Sequence, residues 1–343
     1  MRIYGLRLKF SIVFLLLLAL PLAAKKPVAE EPMLTAEQEQ QFTYYWYAAK
    51  QAVEQGRYAD GLVMLEFCRL IKPDDGQTLT FLAIMYDAMG QKERAMQTYR
   101  LAFEADPRDQ WNRYAYALEQ QRTQEGYEEA LKVLEKAYAV QKGKDKKRET
   151  KVDEDLLEQL RRMYLRNFQW AKSITIQDEI DRIKGFDAYS AVNRYHAYIS
   201  WGKIKKAFEA LDRYLELDPN HVQILLMRME LMERTGVKQQ DLYAIYERIL
   251  SLDPGNLLVL NNYAYRLATG NGDLQKAERM SAITIREEPS NPVYLGTYGW
   301  ILHKQGQDEL ALFYLQRALS NISKPGAVKM EIEHHLRIVK GEK

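Results

Sequence analysis

The hydrophobic pattern of the chain predicts short helices separated by turns. Apolar helical segments of roughly a dozen residues recur, and five of them end just before a proline, which cannot continue a helix. An acidic or basic residue precedes each of these prolines: Lys72-Pro73, Asp106-Pro107, Asp218-Pro219, Asp253-Pro254 and Glu288-Pro289. The separations are 34 residues for the first pair of prolines and 35 for the last two pairs. A fixed period of this length predicts a repeat architecture.

A glycine lies 17 residues before several of these prolines, at Gly56, Gly90 and Gly202, and Gly306 has the same phase. Two helices joined by a glycine-containing turn and ended by proline give a helix–turn–helix unit. The eight predicted units are 42–75, 76–109, 110–144, 154–187, 188–221, 222–256, 257–291 and 292–325. The unit 154–187 is degenerate, because it lacks both the glycine and the proline.

The second unit has its apolar, small and aromatic residues at the positions Leu79, Leu82, Ala83, Tyr86, Gly90, Ala95, Tyr99, Ala102 and Pro107. With this pattern the chain resembles the tetratricopeptide-repeat (TPR) family, and its last two units look like those of exported bacterial TPR proteins. The resemblance implies an all-α fold, a TPR helix–turn–helix solenoid wound into a right-handed superhelix. It would contain about eight repeats and a C-terminal capping helix.

Both ends of the array and one internal segment depart from the repeat. Thr35 to Gln38 have a capping-box pattern that starts the first helix early. Residues 327–340 are amphipathic, with Val328, Ile332, Leu336 and Val339 on one face, as a polar-backed cap requires. The predicted organisation is a signal segment 1–24, an extension and helix start 25–41, repeats one to three at 42–144, a charged break 145–153, repeats four to eight at 154–325, and the cap 326–343.

The first 24 residues predict export. Three basic residues precede the 15-residue apolar run 10–24, which is shorter than the roughly 20 residues of a membrane span and typical of a signal peptide. An uncleaved N-terminal anchor is the alternative. Without the three basic residues, 46 Lys and Arg face 47 Asp and Glu, so the mature chain has no basic field for nucleic acid. The predicted location is the periplasm, or the periplasm-facing envelope, of a Gram-negative bacterium.

The residues predict no catalytic chemistry, no cofactor and no metal. There is no His-Glu-x-x-His motif, no phosphate-binding loop and no pair of cysteines for zinc. His334 and His335 are adjacent on a helix and point apart, and they are predicted to be solvated residues of the cap. The single cysteine, Cys68, is predicted to be a small buried apolar residue. The chain is therefore predicted not to be an enzyme.

The TPR resemblance implies that the first helix of each repeat lines a concave, partner-binding surface. Many of the implied positions are apolar or aromatic, as a peptide groove requires, although burial against neighbouring repeats would explain them equally. The candidate binding residues are Trp46, Lys50, Ile84, Tyr114, Leu118, His196, Leu226, Tyr265, Trp300 and His303. Trp46, Tyr114, Tyr265 and Trp300 are the predicted aromatic anchors.

The predicted function is a non-enzymatic protein–protein interaction scaffold of the bacterial cell envelope, which binds a protein or peptide segment in the concave groove. Two alternatives remain: a self-associating assembly element, and a glycan-binding accessory component of an envelope complex. Contact with a membrane is expected only through an uncleaved leader.

Overall fold

The computed structural model describes residues 34–143, 152–270 and 272–342. Over these ranges the chain forms helices and no strand, which confirms the predicted all-α class. The helices are α1 Ala36–Glu54, α2 Tyr58–Ile71, α3 Gly76–Ala88, α4 Lys92–Ala105, α5 Trp111–Glu119, α6 Gln124–Gly143, α7 Glu154–Arg166, α8 Trp170–Lys184, α9 Ala188–Ser200, α10 Ile204–Leu217, α11 Val222–Thr235, α12 Gln239–Leu252, α13 Leu257–Thr269, α14 Leu274–Glu287, α15 Pro292–Lys304, α16 Asp308–Ser320 and α17 Ala327–Val339. The predicted signal segment 1–24 lies outside the described residues, as does most of the charged break 145–153.

Helices α1 to α16 pack as eight consecutive antiparallel pairs, and α17 follows the last pair. The chain divides into two compact units, one ending at Gly185 and the other beginning at Phe186. The N-terminal unit contains α1–α8 and the C-terminal unit α9–α17. The predicted organisation places the degenerate repeat, 154–187, with the four repeats that follow it. In the structure this repeat packs with the first three, because Leu156 and Leu157 of α7 are buried in one hydrophobic cluster with Leu134 of α6.

The first helix begins where the sequence predicts. The Thr35 side chain accepts a hydrogen bond from the backbone N–H of Gln38, and the Gln38 side chain accepts one from the backbone N–H of Thr35. This capping box satisfies two backbone donors that a helix N-terminus would otherwise leave unpaired.

In several pairs, the turn between the two helices has a left-handed residue at the same place in the repeat. Gly56, Gly90, Gly202 and Gly306 have φ between 72° and 81°, a region in which glycine avoids the steric cost of a Cβ. In the degenerate repeat Phe168 occupies this place, with a φ of 58°. The turn therefore persists where the glycine is lost.

Hydrogen bonds between tyrosine and glutamate connect successive repeats. The Tyr86 hydroxyl on α3 donates to Glu66 on α2 over 2.6 Å, and the Tyr164 hydroxyl on α7 donates to Glu135 on α6 over 2.8 Å. In both cases the first helix of one repeat bonds to the second helix of the repeat before it. Burial and the neighbouring carboxylate raise the pKa of the Tyr86 hydroxyl, so it remains a donor.

Cys68 is fully buried on α2, as predicted, and its Sγ lies 3.8 Å from the carbonyl oxygen of Phe42. Burial, with a smaller contribution from Asp75, raises the pKa of the thiol to about 12. None of the helices in the described ranges is both long enough and apolar enough to cross a membrane.

Candidate partner-binding face

The first helices of the repeats carry the predicted binding residues, and the structure places these residues in both units. In the N-terminal unit, Trp46, Ile84 and Tyr114 are half-buried and pack against one hydrophobic cluster built from α1–α4. The Trp46 ring meets Phe81 edge-to-face at 5.9 Å. Lys50 is exposed. These contacts give the aromatic residues a packing role between repeats.

Leu118 does not belong to an accessible face. Its side chain is 6% exposed and is part of the hydrophobic cluster shared by α5, α6, α7 and α8. The neighbouring helices cover Leu118 in this arrangement, and its contact with a partner stays a prediction.

In the C-terminal unit, four helices surround a cavity of about 240 Å³, which we call the α17 cavity. Helices α11, α13 and α15 are the first helices of repeats six, seven and eight, and α17 completes the wall. Its polar lining includes Glu233, Asn261, Asn262, Tyr265, Arg266, Glu331 and His335. Of the predicted anchors, Tyr265 lies here.

Two carboxylates of the α17 cavity are held by neutral donors. Glu233 on α11 accepts from the Tyr246 hydroxyl at 2.5 Å and from Nδ2 of Asn262 at 3.0 Å. Glu331 on α17 accepts from the Tyr265 hydroxyl at 2.6 Å, which links the cap to repeat seven. Burial and the bond to Glu331 raise the pKa of the Tyr265 hydroxyl.

Trp300 is not an accessible anchor. Its ring stacks on the imidazole of His335, with centroids 4.1 Å apart and planes at 12°, and the side chain is 7% exposed. Helix α17 covers the indole, and the contact of Trp300 with a partner stays a prediction. His303 packs beside it at 5.1 Å, and its Nδ1 lies within hydrogen-bond distance of Asp308, at 2.6 Å.

His335 corrects the expectation of a solvated cap. The side chain is 6% exposed, while the adjacent His334 is exposed. Burial lowers the pKa of His335 to about 4, so the imidazole is neutral at neutral pH. The cap thus uses a histidine, which the apolar pattern of the helix did not include, as part of its buried face.

Gly296 on α15 explains how α17 can lie so close. A Cβ at this position would come within 3.0 Å of Cγ1 of Ile332, a tighter approach than side-chain carbons normally make. The absence of a side chain at Gly296 therefore gives Ile332 its place against α15.

The remaining predicted residues lie elsewhere in the C-terminal unit. Leu226 on α11 is half-buried against the cluster of repeats six and seven. His196 on α9 is exposed, with its ring edge-to-face with Tyr195 at 5.2 Å. Neither lines the α17 cavity.

Sequence reasoning missed Glu233, Glu331 and His335. Glu233 occupies the twelfth position of repeat six, the same position that identified His303 in repeat eight, so the repeat register could have found it. Glu331 and His335 lie on the cap, which has no repeat register. Within the described ranges, no group of three or more His, Cys, Asp or Glu side chains is placed to hold a metal ion.

Comparisons with known proteins agree with this architecture. The family model described as tetratricopeptide repeat matches residues 76–109 and 196–221. A TPR repeat-containing protein of Pseudomonas aeruginosa is 28% identical over 118 residues, which is 34% of this chain and only 19% of that protein's length.

Among solved structures, the C-terminal part of a TPR repeat-containing protein from Cytophaga hutchinsonii superposes with a TM-score of 0.52 and 17% identity. The match covers 75% of this chain and 98% of that one, and it shows the shared fold. The matched repeats, the 34-residue period and the eight helix pairs agree. The chain therefore contains segments that match the tetratricopeptide-repeat model, and it shares the helix-pair fold of the Cytophaga TPR protein.

Proposed function

We propose that the protein is a non-enzymatic scaffold of the bacterial cell envelope that binds a segment of a partner protein on the face formed by α11, α13, α15 and α17. TPR proteins in general are protein-interaction scaffolds. The observation that supports this choice of face is the α17 cavity, where the first helices of three repeats contribute polar side chains to one concave space. Binding sites are commonly concave, with a few convergent polar groups in an otherwise apolar wall.

Site-specific photo-crosslinking tests this face directly. Val293 and Val328 line the α17 cavity and are 40% and 37% exposed, so a benzophenone side chain at either position would contact a bound segment. Phe313 on α16 is 55% exposed and is not part of the lining, which makes it the matched control. We expect a discrete protein adduct from positions 293 and 328, and none from position 313, when the full chain is irradiated in its native cells.

An adduct formed only at position 313 would contradict the assignment of the face. An adduct with a second copy of the chain would favour the self-associating alternative. The envelope location rests on the pattern of residues 1–24, and the same experiment tests it. Recovery of the adduct in the periplasmic fraction, with a chain that starts after Ala24, would support export, and recovery in the cytosol would contradict it.

A further inference from the structure

We propose that the α17 cavity receives a basic side chain, arginine or lysine, from the partner segment. This inference rests on the proposed function, because it names the chemistry of the partner at the same face.

The carboxylates of Glu233 and Glu331 both line the cavity. Each accepts hydrogen bonds from neutral donors, namely tyrosine hydroxyls and the Asn262 amide. Within the described residues, neither carboxylate forms an ion pair with Lys, Arg or His. Two negative charges in one partly enclosed space attract a cation and repel an anionic partner.

Asn261 supplies a second, independent observation. Its side chain is 4% exposed and lines the cavity, and its Oδ1 is buried without a hydrogen-bond donor. Nδ1 of His335, also in the lining, is likewise buried without a partner. A buried acceptor that lacks a donor costs free energy, and a ligand that brings a donor recovers it.

Arg266 does not already serve this role. Its guanidinium interacts with the Tyr246 hydroxyl, which donates to Glu233, but among the described residues Arg266 forms no ion pair with either carboxylate. His335 contributes no positive charge at neutral pH, because its burial favours the neutral imidazole. The charged groups of the lining are thus two carboxylates and one guanidinium, a net charge of −1 that favours a monocation.

The volume and the hydrogen-bonding inventory both select a basic side chain. A cavity of about 240 Å³ is smaller than the roughly 300–1,000 Å³ of sites for drug-sized ligands, and its size suits a single long side chain. The lining atoms that can still take a hydrogen bond are mainly acceptors. Arginine brings five N–H donors and lysine three, and neither brings an acceptor that would compete.

Selection from a random nine-residue peptide library displayed on phage, with the purified full chain as bait, tests the inference. We expect enrichment of Arg or Lys at one position of the selected peptides. A selected peptide should bind about tenfold or more weakly to the variants Glu233→Gln and Glu331→Gln, because a charge-assisted bond is lost while the amide oxygen still accepts from tyrosine. Glu333→Gln is the matched control, since Glu333 is exposed on α17 and outside the lining, and it should bind as the parent does.

Replacing the enriched arginine with citrulline, which has the same shape and no charge, should reproduce the loss. Peptides that bind without any basic preference, or that bind both cavity variants as tightly as the parent, would overturn the inference and leave the proposed function standing. Failure to select any peptide would contradict the proposed function, and the inference with it.

Discussion

Backbone geometry decides which residue each inter-helix turn accepts. Gly90 and Gly202 have φ values of 74° and 72°, and nothing lies within 4 Å of where their Cβ would be. A side chain would therefore meet no neighbouring atom at these turns. Any larger residue destabilises the turn through the strain of its own left-handed backbone. Phe168 bears that cost in the degenerate repeat, with a side chain that is 71% exposed.

Phe168→Gly should stabilise the protein. Relief of the left-handed strain is worth roughly 1–2 kcal/mol, and the extra freedom of glycine in the unfolded chain offsets about 0.5–1 kcal/mol of it. We expect a net gain of roughly 0.5–1 kcal/mol in the free energy of unfolding, measured by chemical denaturation. The reverse exchange at the equivalent turn, Gly202→Phe, should destabilise by a similar net amount, about 0.5–1 kcal/mol. A loss of stability in Phe168→Gly would mean that the contact of Phe168 with Trp170 outweighs the strain.

At the scale of elements, the cap α17 shows which buried residues an amphipathic pattern predicts and which it misses. The pattern predicted a helix with Val328, Ile332, Leu336 and Val339 on one apolar face, and Ile332 and Leu336 are indeed buried. Val328 is 37% exposed, and His335 is buried in the stack with Trp300. A hydrophobicity pattern cannot identify a buried histidine, because its burial depends on an aromatic partner in another helix.

The docking of α17 should weaken in acid. In the folded state the pKa of His335 is about 4, below its ordinary 6.5, because burial opposes the charge and outweighs the nearby Glu331. Above pH 6.5 the imidazole is neutral in both states and its burial carries no protonation cost. As the pH falls from 6.5 towards 4, the unfolded chain binds a proton that the folded chain does not, so stability is lost. We expect a loss of roughly 2–3 kcal/mol from this group.

Thermal unfolding of the parent, His335→Gln and His334→Gln across this pH range would measure the effect. The His335→Gln variant should lose less stability in acid than the parent. The His334→Gln variant changes an exposed neighbour and should follow the parent. Identical pH profiles for the parent and His335→Gln would show that protonation of His335 does not affect stability.

For the whole molecule, the repeat period was sufficient to predict the class of fold, since the prolines and turn glycines that recur with this period mark helix ends. The α17 cavity could not be predicted in the same way. It requires Glu233, Asn261 and Glu331, from three different helices, to face one space, and its last wall is a helix outside the repeat register. The period determines which residues occupy equivalent positions, whereas the site depends on what a non-repeating cap places against them.

Destabilisation should stay local in an array whose repeats contact mainly their neighbours. Leu65 is fully buried in the cluster of α1–α4, and Leu65→Ala should cost about 2–5 kcal/mol there. Hydrogen exchange followed by mass spectrometry should show faster exchange in α1–α4 and unchanged protection from Phe186 onward. Leu70→Ala, on the same helix but 52% exposed, should change neither. Equal loss of protection in both units would instead indicate one cooperative whole.

The buried thiol of Cys68 has a practical consequence for studying this molecule. The chain contains no other cysteine, and this one is inaccessible and protonated at neutral pH, so it is a poor nucleophile toward maleimides. A cysteine introduced at an exposed position would then be the one site that takes up a fluorophore or spin label under native conditions. The natural sequence therefore serves as its own labelling background, and probes can be placed one at a time in either unit without first removing a native residue.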